Sequence, residues 1–139
     1  MPITVASAHL ADDSFLRAFE RCELPLASFR HGDHLRLAWL YLHRKPFDDA
    51  LRSVQHGIYT FAAHHGAGHI FHHTLTQAWV TLLASHQEPS FDDFLNQNEP
   101  RLNQSLLHRF WLPETLASPA ARSAWIAPDR SPLPALLHD

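Results

Sequence analysis

Apolar residues recur at helical spacing along most of this chain. Over 12–23 they place Phe15, Phe19 and Cys22 on one side, with Glu23 at the edge and Glu20 further round, which predicts a first helix ended by Pro25. Over 31–44 apolar residues occupy most of the circumference and leave Asp33, Arg36 and His43 as the polar sector. A third helix is expected from Pro46, a favoured first-turn residue, with the stripe Phe47, Leu51, Val54, Ile58, Phe61 and Ala62 ending at the turn "GAG". The stripe Phe71, Leu75, Ala78, Trp79 and Leu82 predicts a fourth helix over 69–87. Ser90 followed three residues on by Asp93 resembles a capping box for a short helix, and "LNQSLLHRFW" reads as another that stops at Pro113. No segment alternates with period two, so no sheet is expected. Five prolines in the last 27 residues argue for an irregular tail, in which Trp125, Ile126 and Leu133 still need burial. The pattern predicts an all-α chain: one domain over 1–139, an antiparallel bundle of four main helices with short helices and a Pro-rich C-terminal tail.

Composition narrows the function classes. With 45% hydrophobic and 18% charged residues the chain is globular. Its apolar runs, such as "LRLAWLYL", are too short to cross a bilayer, and the start lacks the pattern of a secretory signal, so a cytoplasmic location is expected. The lone Cys22 excludes an internal disulfide and a multi-cysteine zinc site. A net charge of −3, with 11 Lys and Arg in no cluster, disfavours nucleic acid as a partner. Gly-rich phosphate loops, a hydrolase elbow and the repeated Glu-x-x-His of di-iron bundles are all missing. The outlier is histidine, at 13 residues.

Helical periodicity sorts these histidines. His31 and His34 share the apolar side of the second helix, His65 continues the stripe of the third, and His72 flanks that of the fourth, with His69 and Thr76 at the boundary. If the helices alternate in direction, the inward set meets at one end of the bundle. Imidazole is the commonest protein ligand for zinc, iron, copper and nickel, and three histidines leave open positions for water or substrate. The expected site is mononuclear, with His31, His34 and His72 as ligands and His65 or His69 as a fourth. His43, His56, His64, His73, His86, His108 and His138 are expected at the surface. Cys22 and the aromatic residues read as packing.

"FRHGDHLRLAWLYL" and "FHHTLTQAW" resemble a family of small bacterial all-helical proteins that carry a Phe-x-His-x-x-His-[Leu/Val]-Arg-x-Ala-Trp element and a Tyr-His-Glu-Thr-[Leu/Ile]-Thr element. The segment from "FDDFLNQNEP" onward resembles their C-terminal part, so the similarity covers most of the chain. It implies the helical fold and candidate positions at His31, His34, Arg36, His72, Thr74 and Thr76, with Glu20 before Cys22 also similar. Phe71 stands where that family has Tyr, and His73 where it has Glu.

These readings lead to a small His-rich metalloprotein, a candidate metal-dependent hydrolase or oxygenase that activates water or oxygen on a small molecule. Glu20, His73 and Thr76 are its candidate catalytic groups. The alternative is a metal-free helical module that binds a small molecule or a protein partner. A structural accessory subunit is the third reading, and homodimer assembly stays open.

Overall fold

The computed structural model describes residues 10–133, and among these all regular structure is helical. No helix among them is long and apolar enough to cross a membrane. The chain divides into two compact units, with the boundary between Phe71 and His72.

The N-terminal unit holds α1 (Asp12–Glu20), α2 (His31–Leu42) and α3 (Phe47–His64), with 3-10 turns at Leu26–Ser28 and Gly68–Ile70. Both α1 and α2 pack on α3. Phe19 stacks on Phe29 at 5.4 Å and on Phe61 at 5.5 Å, while Leu35, Leu37 and Val54 complete the buried centre. Of the sector of α2 expected to be polar, Asp33 and Arg36 are turned inward and only His43 is exposed. Asp33 is fully buried and accepts the Arg30 backbone N–H at 3.1 Å, which satisfies a donor that the helix start leaves open. Arg36, also buried, donates to the Leu10 carbonyl at 2.7 Å, pairs with Asp12 at 2.9 Å and lies 4.5 Å from the Phe15 ring. Desolvating this guanidinium is tolerable because it has hydrogen bonds, a counter-charge and an aromatic face together. At the head of the α3 stripe, Phe47 remains 39% exposed.

Two helix ends in this unit share one geometry. After α3 the chain turns left-handed at Gly66 (φ 76°), with Gly66 N–H donating to Ala63 O and Ala67 N–H to Ala62 O. After α1 it does so at Cys22 (φ 58°), with Cys22 N–H donating to Phe19 O and Glu23 N–H to Ala18 O. Both are Schellman ends, and this turn stops α1 at Glu20 instead of 23.

The C-terminal unit holds α4 (His73–Leu83), α5 (Phe91–Asn98), α6 (Pro113–Leu116) and α7 (Pro119–Ser123), with 3-10 turns at Glu99–Arg101 and Gln104–Arg109. Ser90 caps α5 with one half of the expected capping box: its Oγ accepts from the Asp93 N–H at 3.1 Å, while its hydroxyl donates to the Asp93 carboxylate at 3.0 Å. The tail is less irregular than its prolines suggest, because Pro113 and Pro119 each open a short helix at the first position, where no N–H is needed. The chain beyond α7 is then fastened. Trp111, fully buried, donates from Nε1 to Ile126 O at 2.9 Å and meets Trp125 edge-on at 5.6 Å. Asp129 accepts from the Leu112 N–H at 2.9 Å and from the Thr115 hydroxyl, and the Arg130 N–H donates to Phe110 O at 2.9 Å. Trp125, Ile126 and Leu133 end half-buried.

Candidate ligand cleft and the placement of the histidines

His31, His34, His65 and His69 belong to the N-terminal unit, and His72, His73 and Thr76 to the C-terminal one. His31 and His34 lie half-buried in the first turn of α2. The His34 ring meets Phe29 edge-on at 4.5 Å, and its Nδ1 lies 3.0 Å from Arg30 O. Burial pushes the His34 pKa down to about 4 against the opposing bond to Arg30, with His31 lowering it further and Asp33 raising it. The ring is therefore neutral near pH 7, and Nδ1 donates to the carbonyl. His65 ends α3, with Nε2 3.2 Å from Leu24 O, and His69 is exposed.

His72 has a different job. It is the N-cap of α4: Nδ1 accepts the Leu75 N–H at 3.0 Å, while Nε2 donates to Leu116 O at 2.7 Å. This pair of bonds requires the neutral tautomer with the proton on Nε2. The cap also explains why α4 begins at His73 and not at 69. To serve as a metal ligand, His72 would have to give up one of these bonds. Burial lowers its pKa, opposed by the Leu116 bond and reinforced by Arg122 and His73. Thr74 is fully buried, donating to Ala124 O at 2.7 Å and accepting the Ile126 N–H at 3.1 Å. Thr76 donates to His72 O at 2.8 Å, a bond back to its own helix. Among the described residues, no three His, Cys, Asp or Glu side chains are grouped so as to hold a metal.

Of the histidines expected at the surface, His43, His56, His64 and His108 are exposed, and His138 lies outside the described residues. His73 is half-buried instead. His86 is mostly buried and lies 3.2 Å from Glu88, which accepts from Asn98 at 3.1 Å. Burial alone would raise the Glu88 carboxyl, but bonds from its own backbone, Asn98 and His86 outweigh that and hold it below the usual range.

Glu20 stands in another setting, an open cleft of about 260 Å³ within the N-terminal unit. The end of α1 contributes Phe19, Glu20 and, through the left-handed turn, Cys22; α2 and its following loop contribute Tyr41 and Lys45. Ser53, His56, Gly57 and Thr60 come from one face of α3, at steps of three, one and three residues. Tyr41, only 5% exposed, donates to Glu20 Oε2 at 2.6 Å. Burial, then the bond to and the charge of Glu20, push the phenol pKa well above its ordinary value, so Tyr41 stays a protonated donor. The Lys45 Nζ donates to Ser53 Oγ at 2.9 Å and lies 5.2 Å from the Tyr41 ring centre. A methyl group at Gly57 would come within 2.7 Å of Phe19 Cε2, so glycine is what lets that ring lie against α3. Tyr41, Lys45 and Ser53 carry no motif. Periodicity marks Tyr41 as core, and only Glu20 hints at the cleft. Comparison of the chain with protein-family models, with curated proteins and with solved structures returns no match.

Proposed function

We propose that this protein is a helical binding module that holds a small organic molecule in the cleft of its N-terminal unit. The observation that carries this reading is the Tyr41–Glu20 bond in the cleft wall: a buried phenol fixes a carboxylate in place before any ligand arrives. Such fixed polar groups beside apolar lining are what small-molecule sites use for orientation. Cys22 lines the same cleft and supplies a reporter. A ligand at a hundred times its Kd stabilises the fold by about 2.7 kcal/mol, so screening a metabolite library by melting temperature detects it. The expected hit raises Tm and slows alkylation of Cys22 by iodoacetamide. A library in which no compound does either refutes the reading.

A second reading keeps the metal, on one observation. The His34 Nδ1 is fixed on the Arg30 carbonyl, the arrangement that orients a ligating imidazole, one helical turn from His31. Zinc, iron, copper or nickel on that pair would make the protein a metal-dependent hydrolase or oxygenase. Elemental analysis of tag-free protein purified without a nickel column tests it. About one equivalent of metal, lost in both His31→Ala and His34→Ala, supports this reading; no metal, and no uptake on titration, refutes it.

A further inference from the structure

Two opposite charges share the cleft without neutralising each other. Among the described residues Glu20 accepts from the neutral Tyr41 hydroxyl, and the Lys45 ammonium donates to the Ser53 hydroxyl beside the Tyr41 ring. Among the described residues neither forms an ion pair with the other or with a third group. Tyr41 stands between them, its hydroxyl on the carboxylate and its ring near the ammonium. Exposed pairs gain little from closing on one another, since water screens them and ordering two side chains costs entropy. A ligand bearing both signs would give each charge a partner through charge-assisted hydrogen bonds.

The same arrangement discriminates. A simple anion drawn to Lys45 also meets Glu20, and a simple cation drawn to Glu20 also meets Lys45. Rejection of single-signed ligands is specificity by repulsion. Size narrows the class further: about 260 Å³ lies just below the usual range of drug-sized ligand sites, which favours a small ligand. The Ser53 and Thr60 hydroxyls and the Phe19 ring supply further polar and apolar lining.

Building on the cleft-binding reading, we infer that the ligand is a zwitterion of amino-acid size, its cationic group held by Glu20 and its anionic group by Lys45. The test is a titration of the full chain with free α-amino acids, β-amino acids, betaines and dipeptides, followed by Tm and by Cys22 alkylation. Each hit is then compared with the amine lacking its acid group and the acid lacking its amine. Both truncated analogues are expected to bind at least about tenfold more weakly, the loss of one charged hydrogen bond. Glu20→Gln, which still accepts from Tyr41, and Lys45→Met are each expected to weaken the zwitterion by a similar factor. Both residues are exposed, so neither variant should change the Tm of the free protein. Equal binding of either truncated analogue overturns the inference. So does a cleft ligand with one charge or none while no zwitterion binds, and that outcome leaves the binding reading standing. Failure of every compound, charged or not, to raise Tm or protect Cys22 overturns both.

Discussion

Polar side chains of the C-terminal unit and those of the cleft in the N-terminal unit do opposite things. In the C-terminal unit His72, Thr74, Asn98 and Asp129 point their hydrogen-bonding groups at the chain itself and fasten loops to helices. In the cleft of the N-terminal unit, Glu20 and Lys45 are fixed by neutral partners and retain their charges. A string such as "HHTLT" at a helix start looks like a site because it gathers donors and acceptors. Their capacity goes to the cap and to the tail, whereas residues with no motif line the cleft. What separates the two regions is whether the partners within the fold use up each group's capacity or leave a charge without a counter-charge.

The contrast breaks most sharply at Thr74. Thr74→Val keeps the shape but removes the donor to Ala124 O and the acceptor for the Ile126 N–H, two part-buried backbone groups held by a fully buried side chain. Loss of both bonds is expected to cost about 1–3 kcal/mol, read as a lower urea midpoint with an unchanged slope. A cost below about 1 kcal/mol would mean that Trp111 and Trp125 hold the tail without it.

His72 is the next lever, and it has a sign. Its folded pKa lies below the ordinary 6.5, so the native ring is neutral. The stability it contributes is fully present above pH 6.5 and is lost as pH falls from there through the lowered pKa. The reason is local: protonating Nδ1 removes the lone pair that accepts the Leu75 N–H. His72→Asn can still cap the helix but cannot titrate, and it forfeits the Leu116 bond. We expect it to lose about 1 kcal/mol at pH 7 and to show a shallower fall of Tm between pH 7 and 5 than the parent. His34, with its pKa near 4, adds to the acid loss of both proteins, so the difference between them is the readout. Equal slopes would show that the cap does not titrate in this range.

The helical class is legible because proline and glycine punctuate apolar stripes of the right period. The bounds of α3 fall beside Pro46 and the "GAG" turn for that reason. What periodicity cannot register is a partner in a distant segment. Asp33 and Arg36 look solvent-facing on their own helix, yet the Arg36 partners, Leu10 and Asp12, lie more than twenty residues upstream. Tyr41 and Glu20 meet across 21 residues, so the cleft is invisible to motif reading. Likewise the partner of His72 is a carbonyl 44 residues on, and a helical wheel shows only that the ring faces inward.

The smallest expected effect compares the two Schellman ends. Gly66 adopts the left-handed conformation freely, and an added Cβ there would meet nothing within 4 Å, so Gly66→Ala isolates backbone strain at about 1 kcal/mol. Cys22 already bears that strain, and Cys22→Gly should return somewhat less than about 1 kcal/mol, because the half-buried thiol loses its packing. Paired denaturation curves measure both. If Cys22→Gly instead destabilises, the thiol packs against the cleft strongly enough to outweigh the turn. In that case the strained residue belongs to the cleft's architecture, and ligand binding should weaken in the same variant. A gain in stability with binding unchanged would make the strain a feature of the helix end alone.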